Sequence, residues 1–164
     1  MEVIFRPMTN EDWIPVAEIY RQGIETRNAT FETEIPAWDE WDSSHLKSCR
    51  IIASTGDSIV AWAALIPVSK RKVYAGVAEI SIYVSDEYKR QGIGSRLLGR
   101  LITESEKEGF WTLQAVIFPE NITSLKIHQD LGFRKVGFRE KIGKIDGIWR
   151  DTILLERRSK MTGK

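Results

Sequence analysis

The sequence predicts one α/β domain of the α+β kind, in which helices flank a mixed β-sheet. Segments with the period of strands and segments with the period of helices follow in the order β, α, α, three strands, α, β, α and two closing strands. A strand at 77–85, a helix at 92–107 and a strand at 111–118 together fit a parallel β-α-β crossover. The 164 residues, 42% of them hydrophobic, suit a single domain, expected to span 1–164 with a frayed polar tail at 157–164.

Two helices are expected near the start of the chain. A strand at 3–6 precedes Thr9 and Asp12, whose spacing matches a capping box, and apolar residues then recur at helical spacing over 10–24. A second helix is expected at 36–49, because a proline is favoured in the first turn and apolar residues recur at helical spacing after it.

Three strands are expected in the middle of the chain. The segments 51–54 and 59–68 read as strands, and the turn at 55–58 between them contains a Gly-Asp pair that indicates a hairpin. A basic loop at 69–76 then leads to the strand at 77–85.

The second half of the chain contains the strongest helical pattern. Leucine and isoleucine residues line one side of the helix at 92–107, and Gly109 marks its end. The remaining elements are a strand at 111–118, a helix at 124–131, and two strands at 134–144 and 148–155 around an Asp-Gly turn.

The composition points to a small-molecule partner in the cytoplasm. The 24 basic and 23 acidic residues leave a formal charge of +1, which argues against sequence-independent nucleic-acid binding. The start of the chain does not resemble a secretion signal and no segment is apolar enough to cross a membrane, so no membrane partner is expected. Cys49 is the only cysteine and is interpreted as a small buried or partly exposed side chain, since nothing around it marks a nucleophile.

The turn between the strand and the helix of the crossover is a candidate anion site. The first N–H groups of a helix are unpaired and lie at the positive end of its dipole, which favours a phosphate group. Gly92 and Gly94 allow close approach to the backbone, and Arg90 and Arg96 add positive charge. Two glycines alone also fit a tight connection without a ligand. A dinucleotide fingerprint is excluded, because Leu97 stands where its third small residue belongs.

The turn also resembles a known signature. Residues 88–98 are similar to the coenzyme A motif of the GNAT acetyltransferases, Gln/Arg-x-x-Gly-x-Gly/Ala followed by a leucine-rich helix, with Lys89 at the first position in place of Gln or Arg. Further segments resemble, in the same order, the phosphinothricin acetyltransferase subgroup, which includes the methionine sulfone and sulfoximine acetyltransferases. These segments are 24–26, 29–34, 79–85, 121–125, 127–133 and 147–151.

The resemblance implies a fold, an activity and a cofactor. It implies a GNAT-type, mostly antiparallel sheet and an N-acetyltransferase that uses acetyl-CoA and no metal. A strand segment from 79 to 84 spans about 17 Å, comparable to an extended pantetheine arm. The implied cofactor-binding residues are Ile82, Tyr83, Val84, Lys89, Arg90, Gln91, Gly92, Ile93, Gly94, Ser95, Arg96, Asn121 and Ser124.

Two residues are candidates for acid–base catalysis. Alternation along the strand at 77–85 places Glu79, Ser81 and Tyr83 on one face. Glu79 is the candidate base, directly or through a water, because an ammonium group must lose a proton before it can attack a thioester; the alternative is a surface glutamate paired with a lysine. His128 stands where many GNAT enzymes have a tyrosine that acts as general acid, although a structural role or no acid at all would also fit.

The resemblance implies direct transfer to the amino group of a small amino-acid-like substrate. Phe31, Tyr74 and Trp149 are candidates for lining its pocket, and Arg71, Lys72 and Arg150 for binding an anionic group. A homodimer built by the closing strands is also implied. Acetylation of a protein N-terminus, a lysine or a polyamine remains an alternative. Polyamine substrates would favour an acidic cleft, whereas the basic loop at 70–72 argues for an anionic small substrate. A non-catalytic sensor of acetyl-CoA is an alternative of a different class.

Overall fold

A computed structural model describes residues 1–164, which form seven strands and four α-helices in a single sheet-based domain. The bounds are β1 (Ile4–Pro7), α1 (Trp13–Glu25), α2 (Trp38–Ser44), β2 (Ile51–Thr55), β3 (Ser58–Pro67), β4 (Val77–Val84), α3 (Ile93–Lys107), β5 (Thr112–Ile117), α4 (Ile122–Asp130), β6 (Arg134–Ile145) and β7 (Ile148–Arg158). The sheet order is β1-β2-β3-β4-β5-β7-β6, and only the β4–β5 pair is parallel. The expected mixed, mostly antiparallel sheet is therefore confirmed.

Helix α2 is shorter than the pattern indicated. It ends at Ser44, and the chain continues in extended conformation at His45 instead of remaining helical to Cys49. The guanidinium of Arg50 donates hydrogen bonds to the backbone carbonyls of Asp42, His45 and Leu46. These bonds satisfy carbonyl groups that the next helical turn would have used, so the helix can end early.

The last strand extends further than expected. Arg157 pairs with Leu113 of β5, and its guanidinium donates to Glu106 of α3 at 2.9 Å. The hydroxyl of Ser159 donates to the same carboxylate at 2.9 Å, and Ser159 is buried. The polar tail expected from residue 157 therefore begins only after this contact with α3.

The two faces of the sheet are covered by different helices. Leu97, Leu98 and Leu101 of α3 are buried against one face in the larger hydrophobic cluster. On the other face a smaller, aromatic cluster joins α1 and α2 to the sheet through Trp41 and Trp62. The aromatic face is the one on which the cavity described below lies.

Strands β4 and β5 separate after three residue pairs. Their pairing stops at Glu79 and Gln114, after which β5 pairs only with β7. The Ser85 N–H donates to the Val60 carbonyl of β3 at 2.8 Å, so the odd-numbered residues of β4 direct their backbone groups toward β3. The even-numbered residues of β4 after Glu79 direct their backbone N–H and carbonyl groups into the gap between β4 and β5. These residues are Ile80, Ile82 and Val84.

Candidate active site

The turn before α3 presents unpaired backbone N–H groups. Gly92 is the N-cap and has a φ of 76°, which glycine adopts without strain. The first hydrogen bond of the helix runs from the Arg96 N–H to the Gly92 carbonyl at 3.1 Å. The N–H groups without an acceptor in the helix are those of Ile93, Gly94 and Ser95. They lie at the positive end of the helix dipole, which suits a phosphate group.

The side chains of this turn contribute less than its backbone. Lys89 forms an ion pair with Asp86, and the Gln91 amide donates to the Glu87 carbonyl at 3.3 Å. The side chain of Ile93 is buried in the core. These side chains are already in contact with the protein. The presence of lysine at position 89, where the motif has Gln or Arg, therefore does not change the unpaired backbone N–H groups of the turn.

Two arginines place positive charge beside the turn. Arg90 has a φ of 62° and is exposed, and Arg96 is exposed with its guanidinium 5.1 Å from the ring centre of Phe5. Neither forms an ion pair with a carboxylate. Both charges therefore add to the field of the helix N-terminus.

The turn continues into the gap between β4 and β5. A Cβ atom added at Gly94 would lie 3.4 Å from Val84 Cγ2 and 3.7 Å from Ile127 Cδ1 of α4. The absence of a side chain at Gly94 thus keeps open a path from the N–H groups of the turn to the backbone groups of Ile82 and Val84. This combination fits the diphosphate and the amide-containing arm of acetyl-CoA.

Tyr83 lies on the opposite side of β4 from this path. Its backbone pairs with Trp62 of β3, and its ring packs at 4.9 Å from Tyr20 and at 5.0 Å from Trp62, between ring centres. Burial raises the pKa of Tyr83 well above its ordinary value and raises the pKa of Tyr20 to about 12. Both phenols are therefore neutral, and Tyr83 belongs with the cavity on the aromatic face.

A cavity of about 500 Å³ opens on the aromatic face where β4 and β5 part. Glu79, the predicted base, lines it together with Ser81 and Tyr83, which strand alternation placed on the same face. The side-chain amide of Gln114 donates to Glu79 Oε1 at 2.8 Å. The only other predicted site residue that lines this cavity is Phe31, whose ring packs against Phe118 at 4.9 Å between centres.

His45 is a cavity residue that the sequence did not reveal, because the helix was expected to continue through it. His45 Nδ1 lies 2.8 Å from the Trp41 carbonyl, which only accepts hydrogen bonds, so Nδ1 carries the proton. Nε2 then accepts from the Ser81 hydroxyl at 3.4 Å. Burial lowers the pKa of His45, assisted by the charge of Arg50, and the ring is neutral at pH 7.

His128 is buried in α4 and does not line the cavity. Its Nδ1 lies 2.8 Å from the Ser124 carbonyl and so carries the proton, while Nε2 has no hydrogen-bond partner. Burial also lowers the pKa of His128. The neutral ring offers a lone pair at Nε2, whereas the hypothesis of a general acid requires a proton there.

Asn121 and Ser124 are engaged within the protein. Asn121 is the N-cap of α4, and its Oδ1 accepts from the Ser124 N–H at 3.3 Å. Its amide nitrogen donates to the Asn28 carbonyl at 3.2 Å. The second bond attaches the loop after α1 to α4. Capping of α4 and this attachment together account for the side chain of Asn121 without a contact to the cofactor.

The structure does not bring the other predicted substrate residues to the cavity. Arg150 donates to the Arg27 carbonyl and, at 3.2 Å, to Asn28 Oδ1, so it holds the loop after α1. Trp149 is exposed on β7, with the Lys144 ammonium 4.9 Å from its ring centre. The remaining three lie exposed on the basic loop after β3 and are Arg71, Lys72 and Tyr74.

The structure contains no group of three or more His, Cys, Asp or Glu side chains arranged to hold a metal ion. None of its helices combines the length and the apolar character needed to cross a membrane.

Comparison with known proteins agrees with this geometry. The profile of the Acetyltransferase (GNAT) family matches residues 13–133. Phosphinothricin N-acetyltransferase of Streptomyces viridochromogenes is 31% identical over 153 residues, which cover 91% of this chain and 84% of that protein. The L-methionine sulfoximine/L-methionine sulfone acetyltransferase of Pseudomonas aeruginosa is 31% identical over 83 residues, which cover 51% of this chain and 48% of that one.

A solved structure extends the similarity over almost the whole chain. The GNAT superfamily phosphinothricin acetyltransferase of Sinorhizobium meliloti, in complex with acetyl-CoA, superposes with a TM-score of 0.88 at 26% identity, covering 99% of this chain and 91% of that chain. The chain belongs to the GNAT family of acetyltransferases, enzymes that use acetyl-CoA as their acetyl donor.

Proposed function

We propose that this enzyme transfers the acetyl group of acetyl-CoA directly to the amino group of a small amino-acid-like substrate while both substrates are bound. The observation that carries the proposal is the position of Glu79, a carboxylate at the point where the gap between β4 and β5 meets the cavity. The names of the relatives, phosphinothricin N-acetyltransferase and methionine sulfoximine/sulfone acetyltransferase, support the same substrate class. The whole chain then acts as one catalytic domain.

In this mechanism Glu79 removes a proton from the substrate ammonium. The Gln114 amide holds Oε1, while Oε2 forms no hydrogen bond or ion pair with the protein. Backbone groups of Ile82 and Val84, with the N–H groups of the α3 turn, hold acetyl-CoA, which supplies an activated acyl group and a good leaving group. The thiol of coenzyme A is acidic enough to leave without a protein acid, so the mechanism does not depend on His128.

The decisive experiment is a thiol-release assay with acetyl-CoA and a panel of amines. Methionine sulfone, methionine sulfoximine and phosphinothricin represent the substrates of the relatives, and peptide N-termini represent the main enzymatic alternative. We expect release of free thiol and formation of the N-acetyl product with small amines and none with peptides. Tight binding of acetyl-CoA without transfer to any amine would instead identify a sensor module.

We further propose a homodimer and a cytoplasmic location. The hairpin of β6 and β7 forms one end of the sheet and carries a group of exposed apolar residues. These are Val136, Phe138, Ile142, Ile148 and Trp149. The first three lie on the edge strand β6, and the last two lie on β7 beside it. Exposed apolar side chains at the edge of a sheet are typical of an interface between subunits.

A further inference from the structure

His45 and Ser81 form a short chain of hydrogen bonds in the wall of the cavity. His45 Nδ1 donates to the Trp41 carbonyl at 2.8 Å, and the Ser81 hydroxyl donates to His45 Nε2 at 3.4 Å. A carbonyl oxygen only accepts hydrogen bonds, so both side chains direct their hydrogens away from the cavity. The chain therefore ends at the cavity in an acceptor, the oxygen of Ser81.

Both the ring and the backbone of His45 are held in place. The ring stacks on Trp41, with 4.2 Å between centres and 16° between planes. Arg50 donates to the His45 carbonyl at 3.0 Å, and the next N–H, of Leu46, donates to the Leu65 carbonyl of β3 at 2.7 Å. Burial keeps the pKa of His45 below its ordinary value, so the fixed ring offers a lone pair at Nε2.

The direction of the Ser81 hydroxyl matters because Glu79 lies beside it. The two residues are two positions apart on one face of β4, about 6.5 Å between Cα atoms, and both line the cavity. A free hydroxyl can donate as well as accept. Donation to Glu79 would stabilise the carboxylate and weaken it as a base, and donation to a neutral amine would occupy the lone pair that attacks the thioester. The hydrogen bond to His45 prevents both.

Glu79 and Ser81 thus present two acceptors to the cavity from neighbouring positions. Oε2 of Glu79 forms no hydrogen bond with the protein, and Oγ of Ser81 has already given its hydrogen to His45. A primary ammonium group has three hydrogens and no lone pair, so it can donate to both oxygens. Once Glu79 has taken one proton, a hydrogen bond to Ser81 still holds the amine and leaves its lone pair free.

We propose that Ser81 binds the nitrogen of the acceptor amine and that His45 is its positioning residue. This inference rests on the proposed acetyl transfer and adds two residues to its site. The Ser81 oxygen accepts a hydrogen from the nitrogen while Glu79 removes a proton from it, and His45 holds the serine hydrogen away from both. His45 and Ser81 neither gain nor lose a proton, so the balance of the transfer does not involve them.

A double-mutant cycle tests whether His45 acts through Ser81. The thiol-release assay gives kcat/KM for Ser81→Ala, His45→Phe and the double variant, with the amine of the panel that the wild type acetylates fastest. We expect each single variant to lose about tenfold, which corresponds to one hydrogen bond, and the double variant to lose about tenfold as well. Independent roles would instead multiply to a loss of about a hundredfold.

Two further variants separate positioning from a structural role. His45→Gln keeps a side-chain carbonyl that can accept the serine hydrogen, so its kcat/KM should stay within about threefold of the wild type. Ser43→Ala is the matched control, because Ser43 is an exposed serine of α2 that does not line the cavity, and it should be fully active. Calorimetric titration with acetyl-CoA, which should bind equally to every variant, verifies that each one is folded.

The outcomes separate this inference from the proposed function. Unchanged kcat/KM in Ser81→Ala would overturn the inference, as would losses that multiply in the double variant. A loss in His45→Gln as large as that in His45→Phe would also overturn it. In each of these cases a wild type that acetylates an amine leaves the proposed transfer standing. A wild type that binds acetyl-CoA and acetylates no amine would overturn the proposed function, and the inference with it.

Discussion

At the scale of single residues, the catalytic candidate Glu79 depends on a neighbour from another strand. Gln114 lies beside Glu79 because β4 and β5 are paired at this position and nowhere beyond it. Strand alternation placed Glu79, Ser81 and Tyr83 on one face, and the resemblance to the GNAT family singled out Glu79 as the candidate base. Neither was sufficient to identify Gln114, which is 35 positions away in sequence, since that contact is created by the crossover.

Replacement of Glu79 by glutamine tests its role as the base. We expect kcat/KM to fall by about 10²–10³, because the amide cannot accept a proton, while the affinity for acetyl-CoA stays unchanged. The remaining activity should rise about tenfold per pH unit below the pKa of the amine, as free amine becomes available. Thiol release and calorimetric binding of acetyl-CoA measure the two effects, and wild-type turnover in the variant would remove Glu79 from the mechanism.

The two histidines of the chain predict a loss of stability in mild acid. Both have a lowered pKa in the folded protein, because His128 is buried and His45 is half-buried, and burial disfavours the charged ring. The unfolded chain therefore binds more protons as the pH falls through about 6.5, the ordinary value, and the free energy of unfolding falls with it. The slope is at most about 1.4 kcal/mol per pH unit for each histidine.

Chemical denaturation between pH 7.5 and 5.5 measures this loss. The variant His45→Gln should show a shallower dependence, because only His128 then contributes in that pH range. The carboxylates with a lowered pKa, Asp12, Glu18 and Asp42, have ordinary pKa values of 4.5 or less, so they titrate below this pH range and do not interfere. If the free energy of unfolding changed with pH equally in the variant and the wild type, His45 would be excluded as a source of the pH dependence.

At the scale of elements, periodicity succeeded where one face of a helix is buried and failed where a single side chain ends the helix. The pattern of α3 is strong because its leucines are fully buried. The end of α2 depends on Arg50, which reaches back to carbonyls up to eight positions earlier. No local pattern marks such a contact, so neither the early end of α2 nor the position of His45 could be predicted.

The path between the α3 turn and β4 predicts the effect of a side chain at Gly94. The variant Gly94→Val should weaken binding of acetyl-CoA by at least about tenfold, because the added methyl groups fill the space beside Val84 and Ile127. Gly99→Val, in the same helix with no atom near its added Cβ, is the matched control and should bind normally. Calorimetry measures both, and equal affinities would show that the cofactor does not pass this point.

At the scale of the whole molecule, the order of elements predicted a mixed sheet covered by helices, and the resemblance to the GNAT family supplied its mostly antiparallel arrangement. The crossover from β4 through α3 to β5 and the two closing hairpin strands leave few ways to build one sheet. The positions of the basic side chains were not predictable in this way. Arg71 and Lys72 stay on an exposed loop, and Arg150 of β7 binds a loop carbonyl. These placements depend on tertiary contacts, which a local sequence pattern does not encode.

The exposed end of the sheet predicts a dimer that a single charge disrupts. Phe138 is 51% exposed on β6, so Phe138→Glu should convert the proposed dimer to a monomer with little loss of folding stability. Ile14→Glu, at an 82% exposed position on α1, should leave the dimer intact. Light scattering coupled to gel filtration gives the masses, and a wild-type monomer at micromolar concentration would refute the dimer.

The short pairing of β4 with β5 makes the gap between them a wedge with one closed end. The two strands pair through three residues that end at Glu79, and one hydrophobic cluster continues across both halves of the sheet, so the closed end is held by packing as well as by pairing. Val84 lies about 17 Å from Glu79 along β4, at the open end beside the turn before α3. We therefore expect acetyl-CoA to enter in one direction only, with its bulky nucleotide at the open end and its thioester beside the proton acceptor.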